Sequence, residues 1–396
     1  MKKDINIAIV HDFLTAYGGA ERVLEVFTEM FPGAPIYTLL YDKEKMRGKF
    51  ESREVHTSFL QKFPRFLRKR KKLLLPFMLV APETFDLRDY DLVITSSGAW
   101  SKGIVTRLNT KHISYMHSPM RFAWDENENY LRDQGGCFLR RFFIRAILSY
   151  VRLWDKMAAD RPDHIIANSK FTQERIKRYY GRESEVIYPP AYAEASAGKP
   201  VDKLRRPTSK ALDVRRLSDK HFLIISRLSP YKKVDVVVEA FNKLELPLVV
   251  IGEGEQEKYL RQIANKNIKI LGWQPDEEME KYYQHARAFI FPCVDDFGLA
   301  PVEAMAHGVP VIAVRQGGIR EAVEEGKTGE FFESATQELI ADGVRRFMER
   351  EDQYDKEYIK RQVERFRKER FKIEIGEFID NKLKGQNSNL KITTKN

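Results

Sequence analysis

The sequence predicts a protein of two consecutive α/β domains, each built on a doubly wound parallel sheet. Short apolar runs alternate with stretches of helical spacing in both halves of the chain, which is the pattern of βαβ units. A proline-rich stretch with little periodicity separates the two series, and 396 residues are enough for two or three cores. The hydrophobic fraction of 43% excludes general disorder. Two cysteines exclude a disulfide framework and predict a reducing compartment.

The first half contains four predicted strands and one well-marked helix. Strands are predicted over 5–11, 92–96, 112–117 and 164–168, and helical spacing extends over 19–31. Each strand is followed by a turn or by a helix pattern, so we expect the strands to run parallel to one another.

The second half repeats this alternation after the proline-rich stretch. Five strands, two helices and one long charged helix are expected there. The strands are 222–226, 248–251, 268–272, 288–292 and 310–314, the helices are 234–244 and 256–264, and the charged helix is 352–384.

These elements set the predicted domain boundaries. An N-terminal domain spans 1–195, a linker 196–220 and a C-terminal domain 221–370. A helix over 371–396, with a frayed end, is expected to pack back toward the N-terminal domain. Ligands bind outside the carboxyl ends of the strands in open α/β sheets, so we expect the two domains to face a central cleft that holds the substrates.

Positive charge is concentrated in two segments of the N-terminal domain. The chain carries 68 Lys+Arg against 57 Asp+Glu, a net charge of +11. Segments 57–82 and 137–154 contain no acidic residue, and Phe and Leu fill the gaps between their basic side chains. This composition is typical of a surface that lies on an anionic membrane. The residues predicted to bind the membrane are Lys62, Arg65, Arg68, Lys69, Arg70, Lys71, Lys72, Arg140, Arg141 and Arg145.

Two alternatives to membrane binding remain open at this point. The charge could belong to an ordinary solvated face, or it could bind nucleic acid, although no recognised nucleic-acid motif accompanies it. No window approaches 18 uncharged apolar residues, and the N-terminal apolar stretch is too short for a signal peptide. We therefore expect a cytoplasmic protein that is peripheral on the inner face of the plasma membrane.

A turn that carries two cations follows the first strand of the second half. Its sequence over 226–235 is Ser-Arg-Leu-Ser-Pro-Tyr-Lys-Lys-Val-Asp. Arg227 and Lys232 lie between a strand and a helix, so the helix dipole and both side chains would point at one place, which suits a diphosphate. A surface charge pair at the start of a helix explains the same spacing equally well.

Two carboxylates lie eight positions apart after a later strand. Asp295 follows the strand and Glu303 opens a helix, so the two side chains can converge on one ligand. Carboxylate oxygens each accept two hydrogen bonds and bind sugar hydroxyls well. Acidic residues are also common at the start of a helix, because their negative charge interacts favourably with the helix dipole. A purely structural role for Asp295 and Glu303 therefore remains open.

Two further features are weaker. Gly18 and Gly19 follow the first strand, where a flexible turn lets the backbone approach a ligand, but they do not form the Gly-x-Gly-x-x-Gly pattern of a dinucleotide site. His117 ends a predicted strand, where ligands bind, although a lone histidine there is usually structural. The histidines and cysteines have no metal-like spacing, so no metal site is predicted.

Together these segments resemble the family-4 retaining glycosyltransferases of the GT-B fold, which have two Rossmann-like doubly wound domains. Arg227 to Lys232 is similar to the family's Arg-Leu-x-Pro-x-Lys phosphate motif. Asp295 to Glu303 is similar to its pair of Glu residues eight positions apart, with Asp in the first place. Further matches lie at 18–21 (the glycine loop), 186–190 (the stretch before the linker), 308–313 (Gly-x-Pro-Val-Ile-Ala) and 317–321 (Gly-Gly-x-x-Glu).

The resemblance implies a role for each of these cations and carboxylates. Arg227 and Lys232 would neutralise the departing diphosphate, an electrostatic contribution that replaces the metal of other transferases. Glu303 would hold the nucleotide ribose, and Asp295 would bind hydroxyls of the donor sugar. Because Asp295 is one methylene shorter than the family's Glu, Asp296 is an alternative for that role.

Other positions are implied to contact the donor, which is a nucleotide sugar bound as a substrate. His117 would contact the donor sugar near its primary hydroxyl, and amides at the start of the helix after Gly298 would cap a phosphate. The resemblance implies no cofactor and no metal requirement. The remaining donor-binding residues are Gly19, Gly272, Asp296, Phe297, Gly298, Leu299 and Ala300.

Segments 117–121 and 296–298 look most like those of mannosyltransferases in surface-polysaccharide and lipid-linked glycan assembly. The resemblance therefore predicts retaining transfer of mannose from GDP-mannose to a glycan or polyprenyl-diphosphate-linked acceptor at the membrane surface. The alternatives are a UDP-sugar donor, a nucleotide-sugar epimerase of the same fold and a non-catalytic membrane-binding protein. No nucleic-acid partner is expected.

Overall fold

The chain divides into two compact units. The computed structural model describes residues 5–134, 138–191 and 220–384. The first unit runs to Pro190 and resumes at Lys368, and the second unit lies between these points. Each unit contains one parallel sheet, which confirms the predicted α/β class.

Several predicted features fall outside the described residues. They are the linker 196–220 apart from Lys220, the tail beyond 384, and Cys137 at the start of the second basic segment.

The first unit is built on a seven-stranded parallel sheet. Its strands are β1 (Ile7–Leu14), β2 (Ile36–Tyr41), β3 (Val55–Thr57), β4 (Leu92–Ser97), β5 (Lys111–Met116), β6 (His164–Ala167) and β7 (Glu185–Val186). The strand order is β3-β2-β1-β4-β5-β6-β7. The chain thus builds outward from β1 to β3 and then returns to place β4 on the other side of β1. The order reverses between β1 and β4, and in this class of sheet such a switch point forms the ligand crevice.

Among the described residues of the first unit, seven helices lie between β1 and β7. They are α1 (Gly19–Met30), α2 (Lys43–Met46), α3 (Arg65–Lys69), α4 (Leu75–Met78), α5 (Asn127–Gln134), α6 (Phe138–Ala158) and α7 (Lys170–Tyr180). The ends of α7 show how sequence sets such bounds. The Ser169 hydroxyl accepts a hydrogen bond from the Thr172 amide at its start, and Gly181 ends it in the left-handed region with φ 65°.

The second unit is built on a six-stranded parallel sheet. Its strands are β8 (His221–Ile225), β9 (Leu248–Ile251), β10 (Ile268–Ile270), β11 (Ala286–Phe291), β12 (Val311–Val314) and β13 (Gly329–Phe332). The order is β10-β9-β8-β11-β12-β13, so the switch point lies between β8 and β11. Its helices are α8 (Val234–Leu244), α9 (Glu257–Ile263), α10 (Asp276–Gln284), α11 (Leu299–Ala306), α12 (Gln337–Glu349) and α13 (Lys356–Val363).

Aromatic side chains join helices to the second unit's sheet. Phe222 of β8 is fully buried and lies edge-on to Phe241 of α8 and Phe347 of α12, with ring centroids 5.2 Å and 5.9 Å away. Such edge-to-face pairs add to the free energy of burying the rings. They hold β8, the strand that leads into the cationic turn.

The last helix, α14 (Lys368–Lys384), belongs to the first unit. Its Phe371 is fully buried and contacts Phe27 of α1 and Tyr115 of β5, with ring centroids 5.6 Å and 5.7 Å away. Lys372 on the same helix pairs with Glu29 of α1 at 2.7 Å. The C-terminal helix therefore completes the core of the first unit.

The prediction of one long helix over 352–384 is wrong. The carboxylate of Asp355 accepts hydrogen bonds from the amides of Glu357 and Tyr358 and starts α13. The chain is extended at Arg367 (φ −66°, ψ 151°), so α14 is a separate helix.

The sequence analysis did not predict four of the strands, β2, β3, β7 and β13. It did predict the bounds of α8 and β9 as the structure has them.

Candidate active site

Two oppositely charged side chains meet at the switch point of the second unit. Lys232 follows β8 and Asp295 follows β11, and the Lys232 ammonium lies 2.7 Å from the Asp295 carboxylate. Lys232 is only 9% exposed. Burial alone would lower the pKa of Lys232, but the charge of Asp295, followed by Cys293 and Tyr231, holds that pKa above its ordinary value. Lys232 is therefore a fixed positive charge at neutral pH.

The turn after β8 explains why Lys232 points inward. Residues Pro230–Lys232 form one 3₁₀ turn, and Lys233 adopts a left-handed conformation with φ 55° before α8 begins. This reversal buries Lys232 and exposes Lys233. Arg227 remains exposed, and its guanidinium lies 3.4 Å from the Tyr231 hydroxyl.

Two glycines after β9 let this turn approach closely. A Cβ atom on Gly252 (φ +142°) would lie 1.8 Å from the Ser226 carbonyl oxygen, and one on Gly254 would lie 2.2 Å from that of Leu228. Any side chain at either position would displace the backbone that leads to Lys232. Sequence reasoning missed this pair, although a Gly-x-Gly immediately after a buried strand was a visible signal.

The helix that follows Asp295 carries the second predicted carboxylate. Helix α11 begins after Gly298, so the amides of Leu299 and Ala300 lie in its first turn, where N–H groups lack intrahelical partners. Glu303 is buried one turn later and accepts a hydrogen bond from the Tyr283 hydroxyl at 3.3 Å. The Tyr283 ring stacks on His307 at 4.7 Å between centroids. Tyr283 thus fixes Glu303 from α10, a role that no sequence pattern indicated.

The loop after β12 supports the acidic segment from the other side. The Gly318 amide donates a hydrogen bond to the Asp295 carbonyl at 3.0 Å. A Cβ atom on Gly318 would lie 2.1 Å from the Asp296 carbonyl oxygen. The paired glycines of segment 317–321 are therefore needed for close packing against the segment that positions the Asp295 side chain.

The remaining predicted donor-binding residues have different environments. Phe297 is 3% exposed and packs edge-on against Phe366 at 5.1 Å, so its side chain belongs to the core and only its backbone can face a ligand. Asp296 is also buried. The Gly272 carbonyl accepts a hydrogen bond from the Gly252 amide at 2.9 Å, which places Gly272 beside the β9 turn.

A second polar cluster lies at the switch point of the first unit. The Ser96 hydroxyl of β4 lies 2.7 Å from Nε2 of His117 and 3.0 Å from Nδ1 of His11 on β1. Nε2 of His11 lies 3.5 Å from the carboxylate of Glu21 in α1. Burial, followed by the charge of His11, lowers the pKa of His117 to about 4, so His117 is neutral at pH 7. These contacts connect His117, a predicted site residue, to α1, the helix that begins at Gly19.

Buried polar groups hold the loops around this cluster. The Asp12 carboxylate accepts hydrogen bonds from three backbone amides after β4, those of Gly98, Trp100 and Ser101, at 2.6–2.9 Å. Arg175 of α7 is buried and donates to the Ser118 hydroxyl at 2.9 Å. The sequence analysis did not identify four residues of this region as functional: His11, Asp12, Ser96 and Arg175.

The two basic segments border one helix of the first unit. The Lys72 ammonium lies 5.9 Å from the centroid of the Tyr130 ring on α5, and Arg145 of α6 pairs with Glu128 of α5 at 3.0 Å. Among the other predicted membrane residues whose side chains are described, only Arg68 is partly buried. Lys62, Arg65, Arg70, Arg140 and Arg141 are exposed.

Helix α6 exposes an apolar stripe along its whole length, about 31 Å at 1.5 Å per residue. Every side chain of the stripe is between 49% and 82% exposed. The stripe consists of Phe138, Leu139, Phe142, Phe143, Ile147, Tyr150, Leu153 and Met157. Its opposite face is buried through Leu148 and Val151. No helix in the described part of the chain is both long and apolar enough to cross a bilayer.

Two family models match this chain. "Glycosyltransferase Family 4" matches residues 17–193, and "Glycosyl transferases group 1" matches residues 207–365. The two matches lie on either side of the predicted linker and together cover most of the chain.

Named relatives and solved structures point the same way. A D-inositol 3-phosphate glycosyltransferase of Corynebacterium urealyticum is 27% identical over 67% of this chain and 64% of that protein. A GDP-mannose-dependent alpha-(1-6)-phosphatidylinositol monomannoside mannosyltransferase of Mycobacterium tuberculosis is 27% identical over 47% of this chain and 52% of that protein. The chain thus spans less than two thirds of the length of these relatives. The structure of Anabaena HepE with UDP and glucose has the same fold (TM-score 0.66, 19% identity, 95% of this chain and 99% of that chain).

Proposed function

This chain belongs to the family-4 glycosyltransferases of the GT-B fold, and we propose that it transfers a hexose from a nucleotide sugar with retention of anomeric configuration. The observation that carries the proposal is the Lys232–Asp295 pair at the β8/β11 switch point. It puts a buried cation and a hydrogen-bond acceptor where sheets of this class bind nucleotides. One side chain suits a phosphate, and the other suits sugar hydroxyls.

The charge at this site supports transfer without a metal ion. An ammonium group has three donors, so Lys232 can keep its bond to Asp295 and still bind a phosphate oxygen. Arg227, exposed on the same turn, can add a second cation, and the first-turn amides of α11 add partial positive charge. These groups stabilise the negative charge that grows on the diphosphate as it leaves.

The proposed reaction takes place on one face of the donor sugar. The bond between the anomeric carbon and the diphosphate oxygen lengthens well before the new bond forms, so the transition state is oxocarbenium-like. The acceptor hydroxyl attacks from the same face and gives its proton to the departing phosphate oxygen. Asp295 would bind sugar hydroxyls and Glu303 the ribose hydroxyls, while His117 would contact the donor sugar near its primary hydroxyl.

Mannose carried on GDP is the donor that we propose. Its support is the resemblance of segments 117–121 and 296–298 to mannosyltransferases and the GDP-mannose-dependent relative. HepE, in contrast, was solved with UDP and glucose. UDP-glucose is therefore the competing donor that an experiment has to include.

We also propose that the first unit binds an anionic membrane, where a lipid-linked acceptor would be held. Both basic segments contact α5, through Lys72 and Arg145. The exposed apolar stripe of α6 lies on a helix that also carries Arg140 and Arg141. A long apolar stripe beside basic side chains is the pattern of helices that lie in a membrane interface. An ordinary solvated face would not expose eight large apolar side chains on one helix.

Calorimetric titration with GDP-mannose, UDP-glucose, GDP and UDP tests the donor site. We expect GDP-mannose to bind most tightly. We expect Glu303→Ala to weaken its binding about 10- to 100-fold, because hydrogen bonds to a charged group are lost. Glu338→Ala, which removes an exposed carboxylate from α12, is the matched control and should leave the affinity unchanged. If none of the four compounds binds the wild-type protein, the proposed function is wrong.

A further inference from the structure

The loop after β1 ends in two glycines beside the switch point of the first unit, and a tyrosine anchors it. The Tyr17 hydroxyl donates a hydrogen bond to the Glu25 carboxylate of α1 at 2.6 Å. The Lys49 ammonium pairs with the same carboxylate at 2.9 Å and lies 5.2 Å from the centroid of the Tyr17 ring. We propose that these three residues form a latch that fixes the backbone of Gly18 and Gly19, and that Tyr17 is thereby a positioning residue for sugar transfer. The transfer in this inference rests on the proposed function, whereas the order of the loop does not.

The glycines make this loop costly to order. Gly18 stands just before α1 and has no side chain to cap the helix, and glycine loses more conformational freedom on folding than any other residue. Strands β1 and β4 border the switch point, where sheets of this class bind ligands. Backbone that is already held in one conformation there contacts a ligand without a further loss of entropy. A side chain of the same loop that binds a rigid helix provides this order.

Glu25 is a suitable anchor because α1 is fixed in the core. Phe27 of the same helix is fully buried and lies edge-on to Tyr115 of β5, with ring centroids 5.8 Å apart. The two oxygens of the Glu25 carboxylate have different partners, since Oε2 accepts from the Tyr17 hydroxyl and Oε1 pairs with the Lys49 ammonium. A carboxylate that is bound at both oxygens cannot turn freely, so the hydroxyl meets an acceptor of fixed direction.

The contacts of the latch belong to the stronger kinds. A carboxylate has no proton to donate, so Tyr17 is the donor, and 2.6 Å is the length of a hydrogen bond to a charged acceptor. The Glu25 side chain is 15% exposed. Water therefore screens its attraction to Lys49 less than it would at the open surface.

The turn that carries Lys49 has an unusual backbone. Arg47, Gly48 and Phe50 all lie in the left-handed region, with φ of 52°, 82° and 66°. Residues with a side chain rarely adopt this conformation, and Phe50 is held in it with its side chain buried. Such conformations persist where the surrounding contacts impose them, and they are common at functional sites. In this chain the turn places the Lys49 ammonium at the latch.

Nitrogen-15 relaxation in the full-length protein tests the order of the loop directly. The dipeptide Tyr-Gly occurs twice in the sequence, so labelling with carbonyl-carbon-13 tyrosine and nitrogen-15 glycine selects the amides of Gly18 and Gly181. Tyr17→Phe removes the Gly18 signal and thereby assigns it. We expect an order parameter of about 0.85 for the Gly18 amide in the wild type and below about 0.6 in Glu25→Ala. Gly181, which ends α7, is the internal control and should not change.

Two results of this experiment overturn the latch. One is a Gly18 amide that is already flexible in the wild type, and the other is a Gly18 amide that stays rigid in Glu25→Ala. If Glu25→Ala does not fold, Lys49→Met serves as the second variant, because it changes an exposed side chain. It should lower the same order parameter, and an unchanged value overturns the latch as well.

Kinetics test whether Tyr17 acts through Glu25. We expect Tyr17→Phe to lower kcat/KM for GDP-mannose about 10-fold, the size of one lost hydrogen bond to a charged group. Thermal unfolding of the same preparation measures any loss of stability separately. In the Glu25→Ala background the same change should cost less than about 2-fold. Equal losses in both backgrounds overturn the positioning role.

The matched control is Tyr358→Phe in the second unit. The Tyr358 hydroxyl of α13 donates to the Glu324 carboxylate at 2.6 Å, and Lys327 pairs with that carboxylate at 2.6 Å. The control therefore removes the same kind of hydrogen bond from a cluster of the same composition that holds no glycine loop. We expect it to have the kcat/KM of the wild type. A loss equal to that of Tyr17→Phe overturns the positioning role of Tyr17.

The two proposals fail in different ways. A protein whose Gly18 amide is rigid and loosens in Glu25→Ala, but which transfers no sugar, overturns the proposed function and leaves the order of the loop standing. A protein that transfers sugar equally well in the wild type and in Tyr17→Phe overturns the positioning role and leaves the proposed function standing.

Discussion

Replacing Lys232 with alanine lowers kcat for sugar transfer by about 100- to 1,000-fold, the cost of removing one preorganised charge from a developing oxyanion. Lys232 is buried at the carboxyl end of β8, where its ammonium can follow the departing phosphate. The side chain of Asp295 is 30% exposed. Water can therefore solvate this carboxylate in the variant, and we expect only a small shift of the unfolding midpoint. Steady-state kinetics and thermal unfolding of the same preparation separate the two effects.

The matched control for this change is Lys243→Ala. Lys243 lies in the last turn of α8, at the opposite end of the helix from Lys232, and it is exposed. We expect the Lys243→Ala variant to have the same kcat as the wild type. If Lys232→Ala retains wild-type kcat, or loses it only because the protein unfolds, Lys232 does not stabilise the leaving group.

Reversing four charges in the first basic segment releases the protein from anionic vesicles. The variant is Arg65→Glu, Arg68→Glu, Arg70→Glu and Lys72→Glu together. Each basic side chain near an anionic surface contributes about 1 kcal/mol, so the loss of four corresponds to about 1,000-fold weaker binding. Sedimentation with vesicles of phosphatidylglycerol and phosphatidylcholine, at low and high salt, measures the change, and donor affinity should be unaffected.

A control with the same change in net charge separates position from total charge. Lys243, Lys258, Lys266 and Arg345 are exposed residues of the second unit, and their reversal to Glu should leave vesicle binding nearly intact. A second variant, Phe138→Ser with Phe142→Ser, tests the apolar stripe. We expect its loss of vesicle binding to persist at high salt, because salt screens only the attraction between charges. Wild-type vesicle binding by the first variant would mean that the basic segments form only a solvated face.

The fold and the second-unit site were predictable because their signals are local. The alternation of apolar runs and helical patterns predicted both sheets, and the turn 226–235 predicted the position of Lys232 between a strand and a helix. Lys232 and Asp295 were each placed after a strand end, but their contact with one another was not predicted. The strand order β8-β11 then explains why these two ends are neighbours.

The first-unit cluster could not be predicted in the same way. His11 and Ser96 lie inside strands that are 85 residues apart, and they meet only because β4 returns to pair with β1 in a register that places them side by side. Strands β2 and β3, which force this return, had no counterpart among the predicted elements. A polar residue inside an apolar run gives no sign of its partner until the register is known.

Residues that the sequence motif groups together differ in how deeply their side chains are buried. Phe297 and Leu299 belong to the same segment, yet the Phe297 side chain packs in the core against Phe366. A local pattern places such residues near a ligand but does not say which side chains point toward it. The sequence pattern therefore singled out the segment that carries Asp295 and Glu303 but did not show that the Phe297 side chain belongs to the core.

The most direct test of retaining transfer is the anomeric configuration of the product. The purified protein is incubated with GDP-mannose carrying carbon-13 in the sugar and with anionic vesicles that hold a polyprenyl-diphosphate-linked disaccharide. The one-bond carbon–hydrogen coupling at the anomeric carbon of the new glycoside distinguishes α from β by NMR. We predict a mannoside of the same configuration as the donor. An inverted glycoside would contradict the same-face mechanism, and no glycoside from either GDP-mannose or UDP-glucose would contradict the proposed transfer itself.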